Sequence, residues 1–73
     1  MTAKKQQLIG RKITNREIQV LNELAHGKTH VEIAANLFIA DRTARKHIEN
    51  IYAKLDAHNR FEALHKVTHL KLI

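Results

Sequence analysis

The clearest pattern in the chain is an amphipathic stretch over residues 41–55, where apolar and charged positions both recur at helical spacing. At about 100° per residue, small and aliphatic side chains share one narrow side: Ala44, Ile48, Ile51 and Leu55. Long charged side chains share another side, within an arc of about 100°: Arg42, Arg45, Lys46 and Glu49. The pattern predicts a helix with one side in a core and the other available to a partner.

A first helix is predicted before this stretch. Thr14 and Glu17 have the spacing of a capping box, in which the hydroxyl and the carboxylate each satisfy a backbone amide of the first turn. Gly27 is predicted to end this helix in a left-handed conformation. Its apolar side is predicted to be Ile18, Leu21, Leu24 and Ala25.

A second helix and a fourth helix complete the predicted fold. Thr29 and Glu32 form another capping box, and Ile33, Ala34 and Leu37 are predicted to face inward from the second helix. Residues 38–40 are predicted to form a tight connection, residues 56–58 a short loop, and Asn59 the cap of a fourth helix that runs to about Leu70. Strand signals are absent. The sequence therefore predicts an all-α fold, a four-helix (tetrahelical) helix-turn-helix bundle over residues 13–73.

Composition narrows the class of partner. The 73 residues form one domain at most, and so short a chain is marginally stable without extra burial, which a partner subunit can provide. With no cysteine, disulfides and thiolate zinc sites are excluded. The net charge of +6 favours nucleic acid as a partner, then an anionic membrane. The alternative is a protein that is merely basic.

Residues 1–12 carry four basic side chains and no acidic one. We interpret them as a flexible basic arm, and a linker from a longer parent protein is an equal alternative. No apolar run approaches the roughly 20 residues of a membrane-spanning helix, and the N-terminus does not have the pattern of a signal peptide. We therefore expect a cytoplasmic protein with no membrane partner.

Two short helices joined by a tight turn, the second with a dry side and a cationic side, are typical of a helix-turn-helix. A generic three-helix bundle gives the same spacing. The order of residues favours the helix-turn-helix over the generic bundle, because it resembles the LuxR/GerE-type helix-turn-helix family over residues 13 to about 70. The resemblance is carried by residues 13–17, Val20, Leu21, Leu24, Ala25, Gly27, residues 32–34, Leu37, Ile39, Thr43, His47, Asn50, Ile51, Lys54, Leu55, Asn59 and Arg60.

The resemblance implies a bacterial transcription regulator whose third helix enters the major groove and whose fourth helix often forms a dimer contact. The sequence departs from the family pattern at several positions. Ala40 stands where a serine usually caps the third helix, so Asp41 is expected to take over as the cap one residue later. Ala44 replaces a usual valine, and His30 and Val31 replace usual polar residues.

By position, the resemblance assigns base contacts to Arg45, Lys46 and Glu49, and Arg42 lies on the same helical side. Arginine and lysine can donate to guanine, and glutamate can accept from cytosine. The alternative is an ordinary solvated charged surface.

Phosphate contacts are predicted for a flanking stripe and for the start of the second helix. The stripe contains Thr43, His47, Asn50 and Lys54. Lys28 and Thr29 can bind a phosphate through backbone amides and the helix dipole. Two alternatives stay open: His47 can pack against the first helix, and Lys54 can pair with Glu17.

The fourth helix has two apolar stripes. Ala63, Val67 and Leu70 are predicted to face the core. The second stripe predicts a two-fold homodimer on a palindromic DNA site, and its residues are Phe61, Leu64, His65, Thr68 and Leu72. Alternatively, Phe61 and Leu72 lie back on the domain or on the N-terminal arm.

The six histidines do not predict a metal site or a cofactor. His26 and His30 are four residues apart, as are His65 and His69, which can share a face with Glu62, but no pair has the His-Glu-x-x-His frame. No catalytic constellation is present, so an enzyme is not expected.

The prediction from sequence is a sequence-specific regulator that binds double-stranded DNA as a homodimer. The alternative function is a module that contacts another regulator or RNA polymerase. A protein that lies on a membrane surface is disfavoured, since the apolar sides are spread over four capped helices. Family members commonly carry this domain after a receiver or ligand-binding domain, and Met1 is compatible with a stand-alone regulator or an excised C-terminal domain.

Overall fold

The computed structural model describes residues 13–69, which form four α-helices and no strand. The helices are α1 (Asn15–Ala25), α2 (His30–Leu37), α3 (Asp41–Leu55) and α4 (Arg60–His69). The long helix α3 packs against each of the other three. The predicted all-α four-helix bundle is confirmed. The predicted N-terminal arm, Leu70 and Leu72 lie outside the described residues.

Both predicted capping boxes are present. At α1, the Thr14 hydroxyl accepts from the Glu17 amide at 3.1 Å, and the Glu17 carboxylate accepts from the Thr14 amide at 2.9 Å. At α2, Thr29 and Glu32 make the same two bonds at 3.2 and 2.8 Å. These reciprocal bonds fix the start of each helix from residues three positions apart.

The caps of α3 and α4 differ from each other. The Asn59 side chain accepts from the Glu62 amide at 2.9 Å, which confirms the predicted cap of α4. At α3, the cap position is Ala40, whose backbone is extended and whose side chain makes no capping bond. Asp41 is already the first helical residue, so the expectation that it caps the helix is wrong. An alanine here leaves the first amides of α3 without a side-chain acceptor from the cap position.

Helices α1, α2 and α3 end in the same way, with one left-handed residue followed by a residue that bonds back to the helix. The left-handed residues are Gly27, Phe38 and Asp56, with φ of 78°, 59° and 54°. In each case the next amide donates to a carbonyl five residues back, as Ile39 does to Ala34 at 3.0 Å. This is the Schellman motif, which usually uses glycine. The left-handed ending predicted for Gly27 is confirmed.

The core lies between α3 and the other helices. Its fully or nearly fully buried apolar residues are Val20, Leu21, Leu24, Ile33, Ala34, Ala44, Ile51, Leu55, Ala57, Ala63 and Val67. Ala25 was predicted to belong to the apolar side of α1 and is exposed, so that prediction is wrong. Val20 is buried in its place because the inner side of α1 follows Glu17, Val20, Leu21 and Leu24. Among the described residues, no helix is long and apolar enough to cross a membrane.

Candidate nucleic-acid interface

The inner side of α3 is fixed in the core, and its outer side is open. Ala44, Ile51 and Leu55 are buried, with exposures of 0%, 0% and 5%. All four side chains predicted to read bases are exposed on the opposite part of the helix. We call this surface the α3 outer face, and its residues are Arg42, Arg45, Lys46 and Glu49. Because the aliphatic residues hold the helix in place, these long side chains project from a rigid support.

One side chain of the α3 outer face contacts α2. A guanidinium nitrogen of Arg45 lies 3.4 Å from Nε2 of His30. His30 is the first residue of α2 and is half-buried. Since a guanidinium can only donate, the imidazole nitrogen in this contact acts as the acceptor. The contact joins the arginine side chain to the first residue of α2.

The flanking stripe divides into exposed and partly buried members. Thr43 and Asn50 are exposed beside the α3 outer face. His47 is half-buried. Lys54 is also half-buried, and its ammonium lies 2.8 and 3.0 Å from the two carboxylate oxygens of Glu17. The alternative noted from sequence, an ion pair between Lys54 and Glu17, is therefore present, and a phosphate contact by Lys54 stays a prediction.

The Glu17 carboxylate is a junction between α1 and α3. Its side chain is 5% exposed, and the Lys54 side chain is 21% exposed. Burial raises the pKa of Glu17, but the hydrogen bonds from Lys54 and Thr14 and the Lys54 charge outweigh burial and hold it below its ordinary value. The carboxylate is therefore ionised at neutral pH and helps to fix α3 against α1.

At the start of α2, the two amides proposed to bind phosphate are already bonded within the protein. The Lys28 amide donates to the Glu23 carbonyl at 3.2 Å, and the Thr29 amide donates to the Glu32 carboxylate at 2.8 Å. A phosphate contact by this pair therefore has to use the Lys28 ammonium or the Thr29 hydroxyl.

The predicted dimer stripe of α4 is partly exposed. Phe61 is 82% exposed, and His65 and Thr68 are exposed on the same helix. Leu64 differs, because it is half-buried and packs against the core. The rings of His65 and His69 are stacked, with centroids 6.2 Å apart and planes 11° from parallel. The stripe around Phe61 is therefore available to a partner, while Leu64 lies at its inner edge.

Sequence reasoning missed three side chains that position the interface. One is His30, described above. The Arg60 guanidinium donates to the Lys28 carbonyl at 2.7 Å and ties α4 to the loop before α2. The Lys66 ammonium donates to the carbonyls of Leu55 and Asp56 at 2.9 and 2.8 Å and so caps the C-terminus of α3. No local pattern signals such contacts, because each partner lies far away in the sequence.

Known proteins with similar sequences agree with this geometry. The family model described as bacterial regulatory proteins of the luxR family matches residues 11–67. A transcriptional regulatory protein of Bacillus subtilis, YhcZ, which is described as uncharacterized, is 47% identical over 51 residues. Another from that species, LiaR, is 45% identical over 51 residues. Each of these alignments covers 70% of this chain and 24% of the relative, so the chain spans about a quarter of the length of these relatives.

A solved structure agrees with the sequence relatives. The response regulator ChrA of a heme-sensing two-component system superimposes with a TM-score of 0.82 at 35% sequence identity. The match covers 85% of this chain and 31% of that chain. The four-helix arrangement around α3 is thus shared with a response regulator. With the family match and the helix-turn-helix geometry together, the chain belongs to the luxR family of bacterial regulatory proteins.

Proposed function

We propose that this domain reads a specific double-stranded DNA sequence by inserting α3 into the major groove. One observation carries the proposal: four long charged side chains extend from the exposed side of a helix whose opposite side packs into the core through Ala44, Ile51 and Leu55. A major groove about 12 Å wide admits an α-helix, and such side chains reach base edges there. The net charge of +6 supports attraction to phosphates at longer range.

The four residues of the α3 outer face have distinct roles in this proposal. Arg45 and Lys46 donate to guanine O6 and N7, and Glu49 accepts from cytosine N4. Arg42, one turn nearer the N-terminus, contacts a base or a phosphate. The positioning contacts to phosphates come from Lys28, Thr29, Thr43, His47, Asn50 and Lys54.

We further propose that the domain binds a palindromic site as a homodimer through the exposed residues of α4. The exposure of Phe61, at 82%, supports this, since a large apolar side chain gains by burial against a partner. Two domains related by a two-fold axis place their α3 helices in major grooves about 10 base pairs apart. The same proposal makes the domain a transcription regulator of the bacterial cytoplasm.

Selection of bound sequences from random duplexes tests the reading role. We expect a palindromic motif for the wild type, and a loss of about 1–3 kcal/mol on that motif for Arg45→Ala and Lys46→Ala, with relaxed preference at the affected base pair. Arg16, exposed on α1, provides a matched control. Arg16→Ala removes the same charge and should leave the base preferences unchanged. If Arg45→Ala and Lys46→Ala select the same motif as the wild type, the α3 outer face does not read bases.

A second candidate function is contact with another regulator or with RNA polymerase. It is favoured by Phe38, which is 94% exposed in the turn between α2 and α3, and by Val31, which is 50% exposed on α2. Neither side chain belongs to the α3 outer face. A salt titration separates the two functions, because DNA binding weakens log-linearly with salt as counterions are released. Phe38→Ser should leave DNA affinity unchanged and reduce transcription if this turn contacts a protein.

A further inference from the structure

The outward side of α4 carries a pair of histidines, one of which, His65, belongs to the predicted dimer stripe. His65 and His69 are one helical turn apart, and both are exposed. Their imidazole rings already face each other, with centroids 6.2 Å apart and planes 11° from parallel. Two histidines at this spacing on one helical face are an arrangement that can chelate a divalent transition metal.

The position of the pair on α4 decides what can complete its coordination. At about 100° per residue, His65 lies about 180° from the direction midway between the buried residues Ala63 and Val67. It is therefore the side chain that points most directly away from the core. His69 lies about 40° to one side of His65, and the exposed Phe61 lies about 40° to the other. The pair thus shares its surface with the proposed dimer contact.

We propose that His65 and His69 form half of a zinc site, which is completed by the same two residues of a second copy of this chain. Zinc prefers four ligands in a tetrahedral arrangement, and two imidazoles supply half of them. The described residues hold no group of three or more histidine, cysteine, aspartate or glutamate side chains that could bind a metal ion within one chain. A two-fold axis through the outward side of α4 doubles the pair to four imidazoles.

This inference rests on the proposed dimer through α4 and adds a ligand to it. The donors fit a cation of borderline softness, because neutral imidazole binds zinc, copper and nickel better than magnesium or calcium. In a zinc site the bonded nitrogens lie about 2.0–2.1 Å from the metal, and hence about 3.3 Å from each other. Since both side chains are exposed, rotation about their χ angles can bring their nitrogens to that separation.

Sedimentation velocity of the chain without an affinity tag, with zinc chloride or with EDTA, tests the inference. We expect zinc to shift the wild type from monomer toward dimer, and calorimetry to saturate at one zinc per two chains. His65→Gln with His69→Gln should abolish both effects. His26→Gln with His58→Gln removes the same number of exposed imidazoles elsewhere and should retain both. Circular dichroism should show the same helix content for all three proteins.

Several results would overturn the zinc site. The site is wrong if zinc leaves the sedimentation of the wild type unchanged or gives large aggregates in place of a dimer. It is also wrong if zinc has the same effect on the His65→Gln, His69→Gln variant as on the wild type. Binding to the selected palindrome in EDTA separates this inference from the proposed function. If two copies still occupy the palindrome in EDTA while zinc has no effect, the DNA-binding dimer stands and the zinc site is wrong. If the protein binds no duplex specifically either in EDTA or with added zinc, the proposed function itself fails.

Discussion

We expect the ion pair between Lys54 and Glu17 to contribute to the stability with which α3 packs against α1. Lys54→Met keeps the aliphatic stem but removes the ammonium that lies 2.8 Å from Glu17. The carboxylate then keeps the Thr14 amide as a donor but loses its charge partner, with its side chain only 5% exposed. Exposed pairs contribute about 0–1 kcal/mol, and loss of one partner of a buried pair costs about 3–5 kcal/mol. Lys54 is 21% exposed, so we expect an intermediate loss of about 2 kcal/mol.

A double-mutant cycle isolates the pair from the rest of the site. Glu17→Gln keeps an acceptor for the Thr14 amide and should cost about 1 kcal/mol. The double variant should cost about as much as Lys54→Met alone, which gives a coupling energy of about 1 kcal/mol. The assay is urea unfolding followed by circular dichroism, and Lys54→Met should also lower Tm by roughly 10 °C. Lys46→Met, at an exposed position of the same helix, should change stability by less than about 0.5 kcal/mol.

Lowering the pH provides a second test of the ion pair between Lys54 and Glu17. The pKa of Glu17 is lower in the folded chain than its ordinary value, so the folded state holds the proton less tightly than the unfolded state. The stabilisation is therefore complete above the ordinary pKa of about 4.3 and is lost as the pH falls through the lower, folded value. The coupling energy should fall over that acidic window. A coupling energy below about 0.3 kcal/mol at neutral pH would refute the reasoning, because it would mean that water screens the pair fully.

Three further predictions concern substitutions at the ends of the helices. Ala40→Ser should raise the free energy of unfolding by about 1 kcal/mol, since the extended backbone at this position lets a hydroxyl accept from the Thr43 amide; an unchanged urea midpoint would contradict this. Phe38→Gly should stabilise by about 0.5–1 kcal/mol, because Phe38 has φ of 59° and is 94% exposed, so relief of the left-handed strain outweighs the small loss of burial. Gly27→Ala, at φ of 78°, should destabilise the fold by about 1 kcal/mol. If Phe38→Gly and Gly27→Ala change the thermal melt in the same direction and by the same amount, the strain argument is wrong.

Local patterns in the sequence determined where three of the four helices begin and which side of α3 is charged. The capping boxes of α1 and α2 and the Asn59 cap of α4 join residues three positions apart, so their spacing is visible in the chain itself. The α3 outer face follows from helical periodicity alone. The prediction that Asp41 caps α3 was wrong, because the choice between two adjacent cap positions depends on backbone conformation.

The tertiary structure decided which polar side chains are bound to others. Lys54 and Glu17 are 37 positions apart, and Arg45 and His30 are 15 apart, so neither contact has a local signature. The sequence also did not predict the left-handed conformations of Phe38 and Asp56. Neither is glycine, and the next residues, Ile39 and Ala57, supply the compensating contacts by packing into or against the core.

The sequence by itself thus determined the local structure and the chemical character of the outer face, because both depend on residues within about one or two turns of a helix. The tertiary structure decided which of those side chains are held in place by another helix and which stay available to a partner. It did so because burial and long-range hydrogen bonds arise only when α3 is packed between the other helices.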